Sequence, residues 1–207
     1  MDGGFQQPAG PGGSSHPRLS SRGRLEEPAM ITWKNHFLYL VDYQHWANDK
    51  LFECLDKLSD EARKRDEGLF FKSIHGTANH LLVNNQLWFG RLKGEAQESR
   101  SDQQLHEEWR ELKQALRQTV RHTQHWLQAQ PPEFFEGELH FHSGSGMEHV
   151  NWVHDVLTHF ATHYAHHRGQ IAAIATKLGA PIPEMDFIYY RRDMQDSLAN
   201  SRFSAAG

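Results

Sequence analysis

Apolar positions recur at helical spacing in four long stretches, separated by short polar or proline-marked breaks. In the first, from about Trp33 to Leu58, Phe37, Leu40, Val41, Ala47, Leu51, Leu55 and Leu58 fall on one face, with Asp, Lys and Gln between them. Such a stripe predicts an amphipathic helix. A charged loop, residues 59–68, leads to a second helix starting near Ser73, a side chain suited to capping the first turn. Ile74, Ala78, Leu81, Leu82, Trp88 and Leu92 mark its buried face, and Lys93-Gly94 is a fitting end. The third helix is expected over residues 102–130, with Leu105, Trp109, Leu112, Leu116, Val120 and Leu127 inward, stopped by Pro131-Pro132. The fourth runs from about Trp152 to Leu178, where Gly179 supplies a left-handed cap and Pro181 and Pro183 prevent continuation.

Between the third and fourth helices the period changes from helical to alternating. Glu138 to His142 reads polar–apolar–polar, and Ser143-Gly144-Ser145-Gly146 reads as a turn, predicting a short β-hairpin. The fold class is therefore all-α: a four-helix bundle whose long crossover carries a hairpin before the last long helix. Asp186 to Arg192 reads as a short final helix, followed by a flexible tail over residues 196–207. Residues 1–29 are rich in Gly, Pro, Ser and Gln with almost nothing apolar to bury, and read as a disordered extension. Met30 directly precedes the first patterned segment, so the native start is expected there and the extension is expected to be dispensable. The bundle is assigned to residues 30–195.

The fourth helix concentrates the chemistry. Four of the sixteen histidines lie at positions 159, 163, 166 and 167, three of them four residues apart. On a wheel of about 100° per residue, with His159 at zero, the apolar side chains centre near roughly 110°. His163 and His167 then fall at about 40° and 80°, leaning into the apolar face, whereas His159 and His166 sit at its polar edge. Two imidazoles one turn apart can grip a single transition-metal ion. The other histidines carry less. His106, His122 and His125 share no stripe and are expected to face solvent, and His140 and His142 point the same way from what reads as an exposed strand edge. His80, taken alone, is unremarkable.

Composition narrows the classes. A length of 207 residues suits one domain with a tail, and 6 Trp with 12 Phe are enough to build a core. Against 22 basic residues stand 26 acidic ones, a formal charge of −4, and no basic, aromatic-studded face appears, so a nucleic-acid partner is not expected. No apolar run reaches the length of a membrane span. The single cysteine, Cys54, rules out an internal disulfide and a cysteine-based zinc site, and reads as a packed side chain. A cytoplasmic location follows as the expectation.

Several stretches resemble the DinB family, also called DinB/YfiT-like, part of a bacillithiol-transferase-like superfamily. They are Asp42-Tyr43-Gln44-His45-Trp46-Ala47-Asn48, the run from Ser73 to Leu82 including Ser73-Ile74-His75-Gly76 and Asn79-His80, the run from His159 to Gln170 with its His167-Arg168-Gly169-Gln170 signature, and Asp186 to Tyr190. The resemblance implies a divalent metal held by one histidine of the second helix and two of the fourth, which here are His80, His163 and His167. Among the ions an imidazole set suits, zinc or nickel is the first expectation, with iron, cobalt, copper and manganese allowed. One departure stands out: where the family often carries an aspartate after the first metal histidine, this chain has Asn84-Asn85-Gln86, and an amide cannot serve as a carboxylate base.

Three neutral imidazoles leave a coordination position open, the arrangement of a catalytic site. Tyr164 follows His163 where a metalloprotease of the His-Glu type would carry its glutamate, so peptide hydrolysis is poorly supported. The resemblance implies instead a transferase joining a low-molecular-weight thiol, such as bacillithiol, to an electrophile. The alternative is a non-catalytic metal-binding bundle, acting in stress response or in binding a partner. Gln170 reads equally as a partner orienting His167 and as packing. Arg168 reads as a surface ion pair before an anion clamp, and Gly169 as a point of close helix contact. A homodimer is compatible with the resemblance.

Overall fold

The computed structural model describes residues 32–95 and 102–204, with side chains to residue 197. The expected disordered extension and Met30 lie outside these residues. Four long helices dominate: α1 (Trp33–Leu55), α3 (Ile74–Leu92), α4 (Trp109–Ala129) and α5 (Val153–Lys177). A short α2 (Asp60–Lys64) follows α1, and α6 (Phe187–Ser204) closes the described chain. α1 packs on α4 and α5, and α3 packs on the same two helices, so the four form a closed ring in which α3 and α5 are neighbours. That adjacency is what positions the site.

The helix ends follow the local chemistry. Ser73 Oγ accepts from the Gly76 N–H at 3.0 Å, capping α3 as its residue type predicts. At the end of α5, Gly179 takes φ +87°, the Ala180 N–H reaches the Ala175 carbonyl at 2.9 Å, and the Gly179 N–H reaches Thr176 at 3.0 Å. This paired closure satisfies carbonyls that would otherwise be orphaned.

The bundle interior divides into two apolar clusters. One joins Leu51, Leu55, Ile74, Leu82, Leu112 and Tyr164, and the other joins Phe37, Val41, Val120, Leu127, Phe135 and Val156. Leaving side chains of this size exposed would forfeit about 1.5–3 kcal/mol each, which is why the amphipathic stripes face inward. α6 lays Tyr190 against Tyr43 and Ala47 on the outside of α1.

The crossover between α4 and α5 contains the expected hairpin: β1 (Glu138–His142) pairs antiparallel with β2 (Glu148–Trp152), with His140 opposite Val150. Leu139 is buried, while His140 and His142 are exposed, as the alternation predicts.

Three helix boundaries differ from the expectations, and one short helix lies where a loop was expected. The first helix stops at Leu55, because the buried Arg63 of α2 donates to the Leu55 carbonyl at 2.9 Å and also to that of Leu58. The residues read as a charged loop thus contain a helical turn that caps α1. The third helix begins at Trp109 and not at 102, since the buried Asn79 of α3 captures the preceding backbone. Its Oδ1 accepts from the N–H groups of Leu105 at 2.9 Å and His106 at 3.0 Å, and its Nδ2 donates to the His106 carbonyl at 3.1 Å. His106 is accordingly half-buried, not solvent-facing, whereas His122 and His125 are exposed. The final helix, expected to be short, extends to Ser204 and so enters the segment read as a tail.

Candidate metal centre

The inward stripe of α5 comprises Val153, Val156, Phe160, Tyr164, Ile171 and Ala175, and helical geometry sets His163 and His167 along its edge. α3 is buried on nearly every side through its first three turns, so its rotation cannot be read from polarity alone. Its packing against α5 turns His80 towards the two histidines. His80 and His167 are each 6 % exposed, and His163 is half-buried.

The three rings present the same atom to a common point. His80 Nε2 lies 3.3 Å from His163 Nε2, and His167 Nε2 lies 3.2 Å from the same atom. The three ligand atoms all fall within 4.8 Å of one another. An ion with metal–nitrogen bonds of about 2.0–2.1 Å in tetrahedral geometry needs nitrogen pairs separated by roughly 3.3 Å. The two pairs that share His163 match this separation, so the three histidines could hold a metal ion.

Protonation favours the same reading. Burial holds the His163 imidazole down at about 3, helped by its neighbours His167 and His80. His167 is pushed below the ordinary imidazole value chiefly by burial, against the hydrogen bond it donates to Gln170. Neutral rings at neutral pH keep their lone pairs for coordination.

A second layer orients them. His167 Nδ1 donates to Gln170 Oε1 at 2.8 Å, leaving Nε2 as the ligating nitrogen, and Gln170 Nε2 donates to His166 at 3.2 Å. Gln170 is thus the orienting partner, not mere packing. Phe71, which nothing in the sequence pattern singles out, stacks on His80 with centroids 3.8 Å apart and planes 15° apart. It also meets His167 edge-on at 5.7 Å.

Other expectations resolve against the coordinates. His159 and His166 are exposed at the polar edge, as the wheel placed them. Arg168 is not a surface ion pair: it is 2 % exposed, lies 4.9 Å over the Tyr43 ring and donates to Gln44, tying α5 to α1. Its residue type pointed to the surface, because a buried guanidinium is rare without a nearby carboxylate. Gly169 is exposed with nothing within 4 Å of an added Cβ, so it makes no close helix contact. Asn85 turns into the core and donates to the Tyr164 hydroxyl at 3.0 Å. Burial pushes that phenol up to about 12. Cys54 is a free, buried thiol, consistent with a packed side chain. No described helix is long and apolar enough to cross a membrane.

The family model of the DinB family matches residues 30–197. A comparison with curated proteins yields no match.

Proposed function

The chain belongs to the DinB family, and from that premise we propose that it is a metal-dependent transferase that joins a low-molecular-weight thiol to an electrophile. The observation that supports this reading is the convergence of three imidazole nitrogens, with pairs at 3.2 and 3.3 Å, on one point. A divalent ion held there supplies Lewis acidity that lowers a thiol's pKa and keeps it as the thiolate nucleophile. His80, His163 and His167 would hold the ion, and three protein ligands would leave it room for a ligand from outside. Gln170 keeps His167 in the tautomer that ligates through Nε2. Asn84 and Asn85 offer no carboxylate, so the thiol proton is released to solvent. The new sulfur–carbon bond forms as the leaving group departs with its electron pair.

Zinc or nickel suits the imidazole set best in this reading. Elemental analysis of the wild type beside His163→Ala and His80→Ala tests the site: stoichiometric metal in the wild type and its loss in both variants is expected. Thiol conjugation to a bimane halide then tests the reaction. A rate equal to the metal-free background rejects transfer.

A second reading, a metal-binding bundle without catalysis, draws on the stacking of Phe71 over His80 and the burial of two of the three ligands. In that case the metal raises the melting temperature but supports no turnover.

A further inference from the structure

Phe71 belongs to two features at once. Its ring packs on His80 and meets His167, and it also forms part of the wall of a cavity of about 860 Å³. Gly76 and Asn79, one turn and one residue before His80 on α3, line the same cavity. A volume of this order lies within the range of small-molecule sites. Resting on the metal-centre reading above, we propose that this cavity houses the body of the thiol substrate and that Phe71 determines which thiols reach the ion from it.

The wall is a built feature. The Glu67 N–H bonds to the Lys72 carbonyl, the Lys72 N–H to Leu69 and the Ser73 N–H to the Phe71 carbonyl, each at 2.8 Å. Lys72 takes φ +67°, a left-handed conformation that side chains other than glycine rarely adopt, and it sets the direction in which Phe71 leaves the turn. Glu67 is in turn tied to Lys177 of α5 and to Arg65, both at 2.7 Å. Gly76 leaves space for the Phe71 carbonyl, which would lie 2.1 Å from an added Cβ. With the backbone so held, the Phe71 ring stands between the cavity, which none of the three histidines lines, and the imidazole cluster.

The lining also names the ligand class. Lys72 and Lys64, the latter paired with Asp60 at 2.6 Å, contribute cations, Asp66 and Asp102 anions, and Gln103 and Gln104 carboxamides, beside the apolar ring of Phe70. A wall with both signs of charge and side-chain amides suits a peptide-like, zwitterionic body more than a lipid or a nucleotide. The thiol of such a molecule would pass the edge of Phe71 to reach the imidazole cluster.

Cobalt(II)-loaded full-length chain provides the test, with wild type, Phe71→Leu and Phe71→Ala compared. The d–d band reports cobalt in the histidine site, and the thiolate-to-cobalt band reports thiol reaching it. The probes are 2-mercaptoethanol, which is small, and glutathione, which is peptide-like. The expected result is that Phe71→Ala improves glutathione binding relative to mercaptoethanol by about tenfold, with Phe71→Leu between. An unchanged ratio, or no thiolate band with either probe, overturns the assignment while the d–d band leaves the metal centre intact. Absence of the d–d band in the wild type overturns the metal centre itself. Where Phe71→Ala does not melt cooperatively, the ratio in Phe71→Leu decides.

Discussion

His167 and Gln170, three residues apart on α5, are joined by a hydrogen bond of 2.8 Å from the imidazole Nδ1 to the carboxamide oxygen. The bond fixes the tautomer of a ring whose other nitrogen faces two further imidazoles. Gln170→Ala is expected to weaken metal binding about 10–100-fold while leaving the metal-free melting temperature nearly unchanged. Competition titration against a chromophoric chelator measures it, and an unaltered affinity would show that the bond does not support the ligand.

The folded chain binds fewer protons at the histidine cluster than the unfolded chain does. Burial holds His163 near 3 and His167 below 6.5, so both are neutral in the native state where they would be charged when unfolded. Stability conferred by the neutral rings is therefore complete above about pH 6.5 and is lost as pH falls towards about 3. Melting of the metal-free protein across that window should show the decline, and His163→Gln should make the curve shallower. A decline of equal slope in the variant would assign the effect elsewhere.

Gly76 faces the carbonyl of Phe71 so closely that a methyl group there would sit 2.1 Å from its oxygen. Gly76→Ala must push the Phe71 turn away from α3, at a cost of about 1–3 kcal/mol. Denaturant unfolding measures the cost. The displaced ring should also lower metal affinity, because its stacking on His80 is lost.

Asn79 holds the segment before α4 through three hydrogen bonds to Leu105 and His106. With about 1 kcal/mol net for each, and the same groups left buried without partners, Asn79→Ala should destabilise the chain by about 2–4 kcal/mol. Urea unfolding gives the number, and a loss under about 0.5 kcal/mol would mean that water replaces the side chain without penalty.

Much of this protein was legible along the chain because helical periodicity is a local property. The stripe on α5 places His163 and His167 at the edge of the buried face, and Ser73 and Gly179 end their helices through side-chain and backbone chemistry within a few residues. The hairpin likewise announced itself by its change of period. What periodicity sets is the rotation of a helix about its own axis.

It does not set which helices become neighbours, or at what height. His80 joins the histidine cluster only because α3 packs beside α5 at a height that brings Nε2 within 3.3 Å of His163, and family resemblance rather than its own surroundings in the chain pointed to it. Arg168 was misread from its residue type, and the partners that make its burial possible, Tyr43 and Gln44, belong to α1. Phe71 lies in a turn with no period at all, and its place over His80 comes from a left-handed Lys72 and a missing side chain at Gly76. The chain alone determined the inward-leaning histidine pair of α5 and the long helices of the bundle. The third histidine, its aromatic cover and the partners of the buried cation were decided by packing, because contacts between distant segments are set by how whole surfaces fit and not by the spacing of residues within one of them.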